Sequence, residues 1–297
     1  MRVAVIDVGS NTARLLVASV ADDGSVVALA QERDYLRLGA EIERSGTLSP
    51  KKIAACATTC GTFAHRATAL GAHLSTVIIT APGRQSASAA ALTRALAEAT
   101  GLPVRTLTSE NEGRLAFAGA VARATGDLPE IVAVVDLGGG STEIAVGNSR
   151  NGATWVRSAD LGSLRLTRAH LPDDPPTARQ IGDARDAARR ALSGMNPPSP
   201  VLGLAVGGSA RALGKIVGPR LDADVLDDAV ARLARRPAVK TARSFGISAE
   251  RAETLLAGAL LLAEACRVLD TSLELGRGGL REGAALELVA LEAARAA

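Results

Sequence analysis

The stretch VVDLGGGSTEIAV, Val134–Val146, decides the fold, because AVIDVGSNTARLLV, Ala4–Val17, repeats its plan about 130 residues earlier. Each is an apolar strand ending in an aspartate, followed by a turn rich in glycine and serine or asparagine and an outgoing apolar strand. Short apolar runs bounded by such turns read as buried strands joined in hairpins. A hairpin built twice predicts two related halves, each opening on the same supersecondary unit.

The residues around the repeats extend this plan. After the first hairpin, SVVALAQERDYLRL reads as a third strand. LSPKKIAACATTCGTFAHRATALG reads as a helix, with Ser49 to cap it, Pro50 in its first turn and Gly71 to end it. STVIIT is a strand, RQSASAAALTRALAEATG a helix and PVRTL a strand. Strands alternating with helices predict parallel pairing through right-handed crossovers. After ATGDLPE the pattern restarts with IVAVVDLGGGSTEIAVGNS, then the strands ATWVRSADLG and VLGLAVGGSA. LPDDPP (Leu171–Pro176) and GMNPPSP (Gly194–Pro200) break the chain, and from Asp224 onward it reads as mostly helical. The boundary is expected near Asp127, giving domains 1–126 and 127–297, with the last helix able to pack back on the first.

The bulk numbers agree with two domains. The chain has 297 residues, 47% hydrophobic and 22% charged, enough apolar side chain for two cores. Aromatics are only 2%, so those cores are made of Ala, Val, Leu and Ile. The net charge of +3 suits an anionic ligand without demanding nucleic acid. The basic stretch RLARRPAVKTAR, Arg232–Arg243, reads as solvated helix faces, with a polyanion track as the alternative. The longest apolar run, Leu255–Ala263, is too short to span a bilayer, and a strand at Arg2–Ile6 leaves no room for a signal peptide. Cys56, Cys60 and Cys266 lack metal spacing; with His65 the first two form no complete ligand set, so buried thiols in a reducing, cytoplasmic compartment are expected.

Glycine-rich turns after buried strands expose backbone N–H groups that bind phosphate oxygens. Three turns qualify: Val8–Asn11, Leu137–Thr142 and Gly207–Ser209. Asp7 and Asp136, at strand ends, with Glu143 on the outgoing strand, are placed to hold a metal ion or its water shell. Mg2+ takes one or two carboxylates plus phosphate oxygens. A condensed phosphate chain with a hard divalent cation is therefore the expected ligand.

DVGSN, DLGGGSTE and the late GGLREG (Gly278–Gly283) together resemble the exopolyphosphatase and guanosine pentaphosphate phosphatase family, over nearly the whole chain and in order. The resemblance implies two actin-like α/β domains, of the ribonuclease H-like superfold shared with sugar kinases and Hsp70, facing an interdomain cleft. It implies Mg2+- or Mn2+-assisted hydrolysis of the terminal phosphoanhydride of polyphosphate, or of the 5′ end of guanosine pentaphosphate. It implies a homodimer, but neither a nucleic-acid nor a membrane partner. It selects Glu112, in TSENEGRLAF, as the general base, although Ser109 to Glu112 also has the Ser-x-x-Glu spacing of a capping box. It assigns phosphate contacts to Gly9, Ser10, Asn11, Arg84, Gly138, Gly139, Gly140, Ser141, Gly207, Gly208 and Ser209, and leaves Arg281 and Glu282 structural.

Several positions depart from the family's usual wording. Asn111 stands where a second glutamate is common, Pro82 and Gly83 precede Arg84, Ala40 replaces a glutamate, and Arg211 a threonine. These bear on substrate choice and turnover, and they keep a non-catalytic polyphosphate or alarmone sensor as a competing reading. A kinase of the same superfold is disfavoured by the GGLREG end.

Overall fold

The computed structural model describes residues 1–296. In chain order the elements are β1 (Arg2–Val8), β2 (Ala13–Val20), β3 (Val26–Asp34), α1 (Leu38–Ser45), α2 (Pro50–Ala69), β4 (Leu74–Ile79), α3 (Ala81–Gln85), α4 (Ala89–Thr100), β5 (Val104–Thr106) and α5 (Ser109–Ala122). The second half comprises β6 (Val132–Leu137), β7 (Thr142–Asn148), β8 (Gly152–Ala159), α6 (Ser163–His170), α7 (Ala178–Leu192), β9 (Leu202–Val206), α8 (Gly208–Val217), β10 (Arg220–Leu221), α9 (Ala223–Leu233), α10 (Ala238–Phe245), α11 (Ala249–Glu253), α12 (Leu255–Leu269) and β11 (Leu273–Leu275). The final helix is α13 (Leu280–Ala296).

Two compact units result. Unit 1 takes Met1–Arg123 and the segment from Gly278 onward, and unit 2 takes Ala124–Arg277. The chain thus passes between the units twice, near Arg123 and near Gly278, and the final helix lies with the first unit. Physically, α13 carries buried Ala284 and Ala285 into the core that Val3, Val5 and Leu16 of the first sheet share with Leu107 and Leu115.

The first sheet has the order β3-β2-β1-β4-β5, with β1–β2 and β2–β3 antiparallel and β1–β4 and β4–β5 parallel. The second repeats it as β8-β7-β6-β9-β11, with β10 added antiparallel at the edge. This is the actin-like arrangement twice over. β1 is covered on both faces, which is why it reads as an unbroken apolar run. Ala4, Ile6 and Val8 meet Cys56, Cys60 and Phe63 of α2, while Val3 and Val5 face α13. In unit 2, Val135 and Leu137 share a core with α12, whose residues Leu255 to Cys266 are all buried. The longest apolar run is therefore a core helix, and no helix among the described residues is long and apolar enough to cross a membrane.

Local signals behaved unevenly. Ser49 caps α2 by accepting from the Lys52 amide at 3.3 Å, and Pro50 stands at its first position, as expected. The helix starting at Ser109 is capped instead by Thr108, whose hydroxyl accepts from the Asn111 amide at 3.1 Å. Ser109 is therefore no cap, and Glu112 lies one position past the place a capping-box glutamate fills.

Candidate functional site

The two hairpins are closed alike. The Gly9 amide donates to the Thr12 carbonyl at 3.0 Å, and the Gly138 amide to the Ser141 carbonyl at 3.1 Å. Each bond pinches off a two-residue turn, Ser10-Asn11 in one and Gly139-Gly140 in the other. The turn carbonyls are spent on the protein: Ser10 and Asn11 accept from Gly39 and Arg37 at 2.7 and 3.0 Å. Gly138 accepts from Ser163, and Gly139 from Leu164 and Arg165 at the start of α6. Amides on turns of this kind are the donors that bind phosphate oxygens elsewhere. Gly162 must be glycine, since a Cβ there would stand 2.5 Å from the Gly139 carbonyl carbon. In the first turn the Ser10 hydroxyl is buried and hydrogen-bonds to nothing among the described residues. Such an orphaned buried group calls for a partner, and a phosphate oxygen accepts what a hydroxyl donates. Asn11, beside it, is half-buried.

The hairpins differ at one telling pair. Every residue of the first has its counterpart 129 positions on: Asp7 and Asp136, Gly9 and Gly138, Arg14 and Glu143. Asp7 faces Arg14 across β1–β2, whereas Asp136 faces Glu143 across β6–β7. Burial pushes the Asp7 carboxyl above its ordinary range, with Arg14 and Arg281 pulling it down and Glu282 adding to the rise. In the second hairpin two carboxylates share one sheet face, a cross-strand arrangement that like charges disfavour. Glu143 is buried and accepts from the Ser158 hydroxyl at 2.8 Å. An acidic pair of this kind has the donor chemistry of a Mg2+ or Mn2+ site. Asp7, the third expected metal ligand, belongs to the other unit, and among the described residues no three His, Cys, Asp or Glu side chains gather to hold an ion.

The third turn abuts the second hairpin. Gly207 has φ 97, and a Cβ on it would stand 2.7 Å from the Leu137 carbonyl oxygen and 3.3 Å from Asp136 Oδ1. Only glycine meets both demands. It sets the N-terminus of α8, with its positive dipole end, beside Asp136. Gly208 opens that helix, and the Ser209 side chain is wholly buried, its hydroxyl accepting from Arg251 Nη1 at 2.9 Å. It serves the interior, pressed beneath Gly258 of α12, and its hydroxyl is not offered to a phosphate.

Glu112 and Arg84 are brought together within unit 1. Arg84 Nη1 donates to Glu112 Oε2 at 2.8 Å and to the Leu107 carbonyl at 2.9 Å. The Glu112 side chain is 8% exposed and that of Arg84 20%. The guanidinium thus holds a buried carboxylate in one orientation. The Pro82-Gly83 departure shapes this spot: Gly83 sits under Thr106, where a Cβ would come within 2.6 Å of its side chain, so α3 presses close to β5 and delivers Arg84. Helix α5 is itself seated by glycines. A Cβ on Gly119 would lie 2.0 Å from the Gly279 oxygen, and one on Gly283 1.8 Å from the Leu115 oxygen. The GGLREG stretch therefore backs the helix that carries Glu112. Its Arg281 donates to the Leu15 carbonyl at 3.2 Å and its Glu282 accepts from the Gly279 amide at 3.0 Å. Sequence reasoning missed Arg251, for which no local signal existed.

The model of the Ppx/GppA phosphatase family matches residues 16–292. An exopolyphosphatase 1 of Mycobacterium tuberculosis is 31% identical over 310 aligned positions, covering 99% of this chain and 90% of the relative. A guanosine-5′-triphosphate,3′-diphosphate pyrophosphatase of Vibrio atlanticus is 26% identical, covering 96% of this chain and 59% of its own. In fold, a crystal structure of the Aquifex aeolicus Ppx/GppA family member superposes with a TM-score of 0.81 at 24% identity, covering 98% of both chains. Matched by the family model over residues 16–292 and by a relative 31% identical along nearly its whole length, this chain belongs to the Ppx/GppA phosphatase family.

Proposed function

We propose that this hydrolase releases the terminal phosphate of inorganic polyphosphate by in-line attack of water, with Glu112 as general base. The observation that carries the reading is the Glu112–Arg84 pair: a buried carboxylate that does not cap its helix and is aimed by a guanidinium. Water oxygen bonds to the terminal phosphorus as the anhydride P–O bond breaks; Glu112 takes the water proton and passes it to solvent. Orthophosphate and a chain one unit shorter leave. The guanidinium of Arg84, one-fifth exposed beside Glu112, is of a chemistry that suits a phosphate oxygen. In unit 1 the amides of the Ser10-Asn11 turn suit the charge that grows on phosphate oxygens in phosphoryl transfer, and in unit 2 the Gly139-Gly140 turn, with Ser141 beside it, offers the same kind of donor. Asp136 and Glu143, with Asp7 as the counterpart in the first hairpin, are the residues for Mg2+ or Mn2+, which when bound supplies neutralisation of phosphate charge.

The similarity to a guanosine-5′-triphosphate,3′-diphosphate pyrophosphatase supports a second substrate, the 5′ phosphate of guanosine pentaphosphate. Phosphate release from long polyphosphate, tripolyphosphate, ATP and guanosine pentaphosphate, with Mg2+, tests both. Glu112→Gln, which keeps an acceptor for Arg84, is expected to lose about 10²–10⁴-fold in kcat with binding retained. Equal rates in both proteins remove Glu112 from the mechanism, and binding by the native protein without release makes it a sensor.

A further inference from the structure

Unit 2 carries a cluster of basic side chains that the site above does not use. Arg232, Arg235, Arg236, Lys240 and Arg243 fall on the end of α9, its connection to α10, and α10 itself. All five are exposed, and none pairs with an acid among the described residues. Some other basic side chains of the unit are neutralised: Arg185 and Arg267 share Asp227, and Arg165 pairs with Asp160. A solvated helix face interleaves opposite charges, yet no Asp or Glu occurs between Arg232 and Arg243. Acids approach at the Arg236 edge, where Asp173, Asp174 and Glu253 line a cavity with it and the Asp174 carboxylate accepts from the Ala238 amide at 2.8 and 3.0 Å.

Two ties connect this face to α8. Lys215 of α8 donates to the Gly246 carbonyl, at the end of α10, at 3.3 Å. Arg251 of α11, which packs on α10, reaches Ser209 in the first turn of α8. The basic face is thus mounted on the same helix whose N-terminus lies beside Asp136. Uncompensated positive charge on a fixed scaffold attracts a polyanion. Single-stranded nucleic acid is held by aromatic stacking as well as charge, and no aromatic residue lies between Arg232 and Arg243.

We propose that the Arg232–Arg243 face is a secondary track for the phosphates of a long polyphosphate chain, remote from its reacting end. The proposal rests on the hydrolase reading for its kinetics but not for its binding. The test is a variant with Arg232, Arg235, Lys240 and Arg243 each replaced by Gln. Arg236 is retained because it lines, with Asp173 and Asp174, a cavity of about 220 Å3. In the variant, kcat/KM on long polyphosphate should fall about tenfold through KM, with the salt dependence flattened and tripolyphosphate turnover unchanged. Equal effects on both substrates, or none on either, overturn the track. Equilibrium binding of long polyphosphate and of a single-stranded oligonucleotide of matched charge is measured in parallel. Weakened polyphosphate binding with little oligonucleotide binding supports the track. Equal binding of both polymers to the native protein, lost together in the variant, makes it a nucleic-acid surface and overturns the proposal. If the native protein turns over no substrate, the hydrolase reading fails while the binding comparison still decides the track.

Discussion

Replacing Gly119 by alanine should damage stability and turnover together, and the size of both effects follows from the crossing of α5 and α13. A Cβ at Gly119 would lie 2.0 Å from the Gly279 oxygen and 2.5 Å from the Gly283 nitrogen, both backbone atoms that no rotamer change can move. Ordinary contact begins near 3.4 Å, so the two segments must part by about 1.4 Å. Overpacking of this severity costs about 3 kcal/mol, against which alanine's better helix propensity returns about 1 kcal/mol. The net loss of about 2 kcal/mol corresponds to a fall in Tm of roughly 4–8 °C. Because α5 carries Glu112 two turns earlier, a shift of this size should also lower kcat about 10²-fold. Gly182→Ala is the control. It lies in α7 with nothing within 4 Å of an added Cβ, so it keeps only the propensity gain and should raise Tm by roughly 2–4 °C. Melting followed by circular dichroism, with phosphate release on the same samples, reads both. Gly119→Ala melting at or above the native temperature, with Gly182→Ala behaving as stated, would refute the idea that backbone contact seats the helix.

Asp7→Asn should stabilise the fold at neutral pH. Burial raises the folded-state pKa of Asp7, so its stabilising contribution is complete at low pH, where it is protonated, and is lost as pH rises through the raised value. The Tm advantage of Asn should be largest at pH 7–8 and vanish in acid; a gap independent of pH would contradict this. Adding Mg2+ should narrow the gap by raising the native Tm alone, if Asp7 helps to hold the ion. The three cysteines should resist thiol reagents at pH 8 until denaturant is added. All are buried, with Cys266 pushed up to about 12 by burial and Cys60 pushed up by its hydrogen bond to Cys56 and by burial. Rapid labelling of any one in the native protein would contradict their placement.

The parts of the fold that rest on local pattern were legible in the sequence. Strand hydrophobicity and turn residues place both hairpins, and the duplication carries the strand order from one sheet to the other. Elements held by distant partners were not. The short helices α1 and α3 and the brief strands β10 and β11 have too few residues for periodicity to show. Arg84 reaches Glu112 across 28 positions, which spacing cannot reveal, though the resemblance had marked both separately. Ser209 looked like its counterparts because a Gly-Gly-Ser turn reads the same whether its hydroxyl faces a ligand or Arg251. Thr108 rather than Ser109 caps α5 because two adjacent hydroxyl residues offer the same signal, and backbone geometry chose the earlier one.

The return of α13 to the first unit has a consequence for the order in which a ribosome-bound chain matures. Unit 2 is one unbroken stretch and has every strand and helix it needs once Arg277 has emerged. Unit 1 opens the chain yet waits for its closing piece. Until Gly279 and Gly283 arrive, α5 lacks the backbone it rests on, so the nascent chain would seat the helix that carries Glu112 only after the whole of unit 2 has been made.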